Sequence, residues 1–108
     1  MDNFGFEKMQ SIQKELQEKY MEQWGGLSPE KGRDTLLWMM IEAGEAADII
    51  KKDGDHSILH DDKVRKHFVE EICDVLMYLN DVMLCYSIKP EELETTYLEK
   101  HHKNMERW

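Results

Sequence analysis

Two pairs of carboxylates lie within apolar stretches of this sequence. Glu42 and Glu45 are three residues apart in "IEAGEAADIIKK", and Glu71 and Asp74 repeat that spacing in "VEEICDVLMYLND". Residues three apart share one face of a helix, whereas Glu70 is turned away by about 100° and is predicted to be peripheral. Burying a charge is costly unless it is paired or binds a metal ion. We therefore expect the two pairs to converge on a cation if their helices pack together.

The predicted site offers only oxygen ligands. Carboxylates crowded into one pocket repel one another, and either protons or divalent cations relieve that repulsion. Oxygen ligands select hard ions, so Mg²⁺ is the expected cofactor and Mn²⁺ or Ca²⁺ the alternatives. Mg²⁺ held by few carboxylates retains water and binds substrate phosphates, which predicts phosphoryl chemistry. The predicted metal ligands and catalytic residues are Glu42, Glu45, Glu71 and Asp74, and Asp81 falls close to the same side of its helix.

Other interpretations of these acidic residues stay open. A single E-x-x-E segment is more typical of a solvated helix face, although two such segments in apolar helices favour a cation site. Glu99 and His102 form the E-x-x-H motif of di-iron bundles, but such bundles need two of these motifs. A further alternative is a helical assembly module, or a regulator that binds nucleotide without cleaving it.

Four amphipathic segments position these residues, and no strand pattern competes with them. The sequence therefore predicts an all-α fold, a bundle of four main helices in which residues 1–108 form a single domain. The stretch "HSILHDD" is ambiguous between a loop and an early turn. The helices are predicted from about Asn3 to Glu22, from Ser28-Pro29 or Asp34 to about Lys52, from about Asp61 to Tyr86, and from Lys89-Pro90-Glu91 nearly to Trp108; Gly25-Gly26 ends the first and Asp53-Gly54-Asp55 the second.

The third predicted helix is apolar almost all round from Phe68 onward, which is typical of a helix buried on every side. Cys73 and Cys85 lie about 18 Å apart along its axis, so we expect buried free thiols rather than a disulfide. A chain of 108 residues is too small to bury such a helix alone. We therefore expect a homo-oligomer, and free thiols favour a cytoplasmic location.

Charge and composition exclude several classes of protein. The net charge is −9 and no long basic run is present, so binding of a nucleic-acid polymer through its phosphates is not expected. The longest apolar run, Leu36 to Ile41, is far too short to span a membrane. The first residues, "MDNFGFEKMQ", lack the apolar region of a signal peptide.

Taken together, "IEAGEAADIIKK" followed by "VEEICDVLMYLNDV" resembles the MazG-type members of the all-α nucleoside triphosphate pyrophosphohydrolase superfamily. Their motif is E-E-x-x-E on one helix and E-x-x-D on the next main helix. The tail "KHHKNMERW" fits a family pattern of lysine, asparagine and arginine, and the resemblance covers roughly residues 24 to 108. One position departs, because Ile41 stands where the family commonly has its first glutamate. Without this acid, the number of metal ions bound and the level of activity are both open to difference from those of the family.

The resemblance implies hydrolysis of a nucleoside triphosphate, either an NTP or a dNTP, to the monophosphate and pyrophosphate. It also implies a dimer or tetramer, with Mg²⁺ on the acidic pairs. Candidate substrate-binding residues include basic side chains that reach the phosphates and an aromatic ring that stacks on the base. Either Trp24 or Trp38 could supply this ring. The substrate-binding set is Trp24, Lys52, Asp81, Lys100, Asn104 and Arg107; for the basic residues the alternative is a solvated face, and for the tryptophans it is core packing.

Overall fold

The computed structural model describes residues 3–108 and is helical, with no strand in that range. The all-α prediction is therefore confirmed. Four main helices are present together with one short additional helix. They are α1 (Phe6–Lys19), α2 (Met21–Trp24), α3 (Pro29–His60), α4 (Asp62–Cys85) and α5 (Pro90–Arg107).

The first predicted helix is divided at Tyr20, whose backbone leaves the helical region at φ −108° and ψ 23°. The prediction of one helix from Asn3 to Glu22 is thus wrong in its continuity, and α2 adds a single turn beyond the break. Gly25 then ends α2 with φ 80°, a left-handed conformation that glycine adopts without strain. The Lys31 side chain also passes so close to Gly25 that a β-carbon there would collide with it.

The predicted stop of the second helix is partly confirmed. Gly54 has φ 81° and ψ 165°, which breaks the helical path inside α3, but the chain resumes helical geometry and continues to His60. The ambiguous stretch "HSILHDD" is therefore mostly helical. Asp61 separates α3 from α4 and caps the latter, since its Oδ1 accepts hydrogen bonds from the Lys63 and Val64 backbone N–H groups at 3.0 and 3.2 Å.

The main helix pair consists of α3 and α4, which carry the two acidic segments. Helix α1 packs against α4, while α5 contacts α1 alone among the helices described. Two glutamines on α1 secure it: Gln13 donates to Asp81 on α4 at 3.0 Å, and Gln10 donates to the Ile88 carbonyl at 2.9 Å. This arrangement brings the acidic faces of α3 and α4 together and closes one side of the pair with α1.

The apolar core of the single chain is small, because in the described range its buried hydrophobic residues are Ile49, Met83 and Cys85. Helix α4 is not buried on every side within one chain, in keeping with the expectation that a chain of this size cannot cover it alone. Its residues Val69, Ile72 and Met77 are 45%, 41% and 46% exposed. Cys73 is likewise exposed, contrary to prediction, whereas Cys85 is a buried free thiol as expected.

The chain leaves more surface uncovered than a compact domain of its size. Its accessible surface is 8692 Å², whereas a compact monomer of this mass exposes about 6300 Å². Its radius of gyration is 16.3 Å, against about 13 Å for a compact chain of this length. Within the described range, no helix has the length and apolar character needed to cross a membrane.

Candidate metal centre and adjoining cavity

Three of the predicted acidic residues meet at the α3–α4 interface. Glu42, Glu45 and Glu71 each offer one carboxylate oxygen, and these oxygens lie within 4.8 Å of one another. Helix α3 supplies the first two from one face, and α4 supplies the third. We refer to these three residues as the carboxylate cluster. Glu42 and Glu71 are half-buried and Glu45 is exposed, so the cluster is more open to solvent than the sequence suggests.

The environment of the carboxylate cluster favours the protonated form of Glu42, first through burial and then through its acidic neighbours. Burial raises the pKa of this carboxyl to about 7, and the hydrogen bond and negative charge of Glu45 act in the same direction, followed by Glu71 and Asp74. A metal-free cluster therefore retains a proton on Glu42 through much of the range below neutral pH. A divalent cation among the oxygens would replace that proton as the compensating charge.

Glu71 has one oxygen that protein groups bind and one that they do not. Its Oε1 lies 3.2 Å from the His67 Nε2, one helical turn earlier. Its Oε2 is buried and has no hydrogen-bond partner among residues 3–108. Buried carboxylate oxygens are ordinarily satisfied. In the metal-free cluster the proton on Glu42 is within hydrogen-bonding reach of the Glu71 carboxylate, and a bound cation would take the place of that proton. The oxygen-only donor set and the unsatisfied atom together fit a hard divalent cation such as Mg²⁺ or Mn²⁺.

His67 belongs to this site but is not apparent from the acidic motifs. The signal that identifies it is its spacing, because residues four apart are neighbours on a helix. His67 is largely exposed. It therefore holds the Glu71 carboxylate from the solvent side.

Asp74, the fourth predicted ligand, is not a member of the carboxylate cluster. It lies at the wall of the neighbouring cavity. Its charge contributes to the raised pKa values of Glu42 and of Tyr78, which places it near both groups. Asp74 thus connects the cluster to the cavity.

The cavity next to the carboxylate cluster has a volume of about 640 Å³ and is formed by α1, α2, the start of α3 and the second half of α4. Two indoles line it. Trp24 stacks on Tyr20 with 4.7 Å between ring centroids, and the Trp38 ring meets the Tyr78 ring edge-on at 6.4 Å. The indoles are 47% and 52% exposed. Each therefore retains accessible ring surface for a flat ligand.

Asp81 lies at the wall of the same cavity and is only 5% exposed. Its Oδ1 accepts a hydrogen bond from the Gln13 side-chain amide at 3.0 Å. Burial raises the pKa of Asp81, whereas hydrogen bonds from Gln13 and Gln17 lower it in part. Among residues 3–108, no basic side chain forms an ion pair with this carboxyl.

The predicted basic residues do not join the carboxylate cluster within one chain. Lys52 forms an exposed ion pair with Asp48 at 2.9 Å. Lys100, Asn104 and Arg107 are exposed on α5, which packs against α1 rather than α3 or α4 in the part of the chain described.

Two further positions from the sequence lie at the surface. Ile41, the departure from the MazG-type motif, is 52% exposed beside the cluster residue Glu42. Glu99 and His102, which form the E-x-x-H motif, are both exposed on α5. Among residues 3–108, neither residue belongs to a group of three or more side chains close enough to bind one metal ion.

Comparisons with protein-family models, with curated proteins and with solved structures find no match to this chain. The functional proposal therefore rests on the geometry of the cluster and the cavity.

Proposed function

We propose that this protein is a Mg²⁺-dependent nucleoside triphosphate pyrophosphohydrolase of the MazG type. The observation that carries the proposal is the convergence of Glu42, Glu45 and Glu71, with the unsatisfied Oε2 of Glu71 among them. The cavity of about 640 Å³ beside these carboxylates is large enough for a nucleoside. A hard cation site next to a cavity lined by aromatic rings suits a ligand with a phosphate chain and a flat base.

The residues of the cluster would hold the metal, and Asp74 lies at the junction where the α-phosphate would sit. Mg²⁺, when bound, neutralises phosphate oxygens and increases the acidity of water. The reaction adds a water oxygen to the α-phosphorus and breaks its bond to the bridging oxygen, which leaves with pyrophosphate. Glu45 is the exposed member of the cluster and our candidate to accept the proton of that water. The indoles of Trp24 and Trp38 would stack on the base.

A homo-oligomer, either a dimer or a tetramer, is part of the proposal. The uncovered surface exceeds that of a compact monomer by about 2400 Å², and a standard interface needs about 800 Å² from each partner. Exposed apolar side chains on α3 and α4 flank the cluster, and a second copy would cover them. They include Leu37, Met40, Ile41, Val69 and Ile72. A monodisperse monomer in small-angle scattering would contradict this part of the proposal.

A regulator that binds nucleotide without cleaving it is the second candidate, and Ile41 is the observation that favours it. An apolar, half-exposed side chain occupies the position at which MazG-type enzymes carry another acid. Metal-dependent nucleotide binding without product would identify this alternative. Iron uptake and oxidation would instead identify the di-iron interpretation.

The test is an assay of purified protein with Mg²⁺ and each NTP and dNTP, in which pyrophosphate and nucleoside monophosphate are both measured. We expect the two products in equal amounts, and we expect Glu45→Ala and Asp74→Ala to remove them. Glu70→Ala is the matched control, because Glu70 is an exposed acid beside Glu71 and is not a member of the cluster. Equal losses in all three variants would show that the effect is not specific to the cluster.

A further inference from the structure

Asp81 differs from every other acid near the cavity in how it is held. It is almost fully buried, and its structural partner is the neutral amide of Gln13 rather than a cation. A buried carboxyl is strongly favoured to be fully hydrogen-bonded. Lys31 lines the same cavity and donates to the Trp24 carbonyl, and among residues 3–108 it forms no ion pair with Asp81. The cavity wall therefore presents a carboxyl whose surroundings supply amide N–H donors.

The position of Asp81 relative to the carboxylate cluster indicates which part of a bound nucleotide would lie beside it. Asp74 and Asp81 are seven residues apart on α4, about two turns or about 10 Å along the axis, and both line the cavity. A nucleotide whose phosphates lie at the cluster would extend its base along α4 toward Asp81. Trp38 and Tyr78 lie at the same cavity wall, so the base would meet Asp81 with its edge while a ring covers its face.

We propose that Asp81 reads the edge of the substrate's base by accepting a hydrogen bond from an exocyclic amino group. The preferred substrates are then nucleotides of cytosine, guanine or adenine, and those of uracil and thymine are disfavoured. The proposal rests on the proposed function for the location of the phosphates. Its chemical basis is that uracil and thymine present carbonyl oxygens beside their single ring N–H, and these oxygens repel a carboxyl acceptor.

Two matched substrate pairs isolate the amino group. Cytosine carries an amino group at C4 and an unprotonated N3. Uracil carries a carbonyl oxygen at C4 and an N3–H. Guanine and hypoxanthine differ by the 2-amino group. We expect kcat/KM to favour dCTP over dUTP, and dGTP over dITP where purine nucleotides are hydrolysed, by at least about tenfold, since a site built to bind an N–H rejects the analogue without it.

The variant Asp81→Asn tests the residue directly. Its amide donates an N–H to a base carbonyl, so the preference for dCTP over dUTP should fall by about tenfold or reverse. Asp62→Asn is the control, because Asp62 is an exposed aspartate in the first turn of the same helix. The wild-type comparison of the matched pairs stands even if the Asp81 variant fails to fold.

Calorimetric measurement of deoxycytidine and deoxyuridine binding, in the absence of metal, separates this proposal from the hydrolase proposal. Preferential deoxycytidine binding that Asp81→Asn removes would support base reading even if no triphosphate is hydrolysed. Turnover with equal kcat/KM for dCTP and dUTP and for dGTP and dITP would overturn base reading and leave the hydrolase proposal standing. A preference for dUTP in the wild type would also overturn it.

Discussion

The carboxylate cluster and Asp81 contain the same functional group in two different environments. In the cluster, three half-buried or exposed acids crowd one another, and an oxygen of Glu71 has no partner. Asp81 is a single acid, more deeply buried, and an amide from Gln13 already binds it. Crowded negative charge with a free oxygen suits a cation, whereas an isolated acid held by N–H groups suits a neutral N–H donor. The two regions thus suit the two ends of one nucleotide.

The largest effect should come from neutralising Glu71. Glu71→Gln removes a charge from the cluster and replaces an oxygen with an amide that does not bind a hard cation. We expect Mn²⁺ affinity, measured by electron paramagnetic resonance, to fall more than about 100-fold. The metal-free variant should melt at a higher temperature than the wild type, because repulsion within the cluster is relieved.

Glu70→Gln is the control for this substitution, since it makes the same change one residue away on the exposed side of α4. It should keep the Mn²⁺ affinity and melting temperature of the wild type. If the two variants lose affinity equally, the cluster is not the metal site.

Removal of the amide that holds Asp81 should destabilise the fold rather than weaken metal binding. Gln13→Ala removes the Gln13 hydrogen bond from the buried Asp81 carboxyl and leaves only that of Gln17. We expect the free energy of unfolding in urea to fall by about 1–3 kcal/mol. Gln10→Ala removes a neutral hydrogen bond from the same helix and should cost about 1 kcal/mol or less. A greater loss in Gln10→Ala would contradict the special role assigned to the Asp81 pair.

The pH dependence should distinguish a protonated cluster from an ionised one. The pKa of Glu42 is raised from 4.5 to about 7 in the folded chain. Metal must displace this proton, so Mn²⁺ affinity should rise by up to about tenfold per pH unit below neutrality and level off above it. In the metal-free protein the folded state binds the extra proton, so stability should fall as pH rises from 4.5 to about 7. A metal affinity that is flat across this range would contradict the assignment.

The smallest effect should come from His67, which holds Glu71 from the solvent side. His67→Ala leaves all three carboxylates in place and removes only one positioning contact. We expect the Mn²⁺ affinity to change by less than about tenfold. A loss as large as that of Glu71→Gln would instead make His67 a ligand.

The helices and the acidic faces were predictable from local sequence patterns. Apolar spacing identified α3, α4 and α5, and the three-residue spacing placed Glu42 beside Glu45 on one face. The break at Tyr20 was not predictable, because the apolar stripe continues through it. The continuation of helical structure after Gly54 was not predictable either, because a glycine indicates the end of a helix but not whether the chain then becomes helical again.

The details of the site depend on packing between helices that are distant in sequence. The Gln13–Asp81 hydrogen bond joins residues 68 positions apart, and no local pattern predicts it. The exposure of Cys73 was mispredicted because an apolar helix signals burial without showing which surface covers it. Val69 and Ile72 are exposed on the same helix, which a single chain of this size does not cover. For the same reason, the tail residues of α5 could be recognised as a pattern without being placed at the cluster.

The central claim is that the carboxylate cluster supports cleavage between the α- and β-phosphorus atoms of a nucleoside triphosphate. Phosphorus-31 NMR of the reaction in ¹⁸O-labelled water, with Mg²⁺ added and then removed by a chelator, tests it most directly. We predict nucleoside monophosphate that carries the label, unlabelled pyrophosphate, and no reaction after chelation. Nucleoside diphosphate with orthophosphate, label in the pyrophosphate, or no product from any nucleoside triphosphate would contradict the claim.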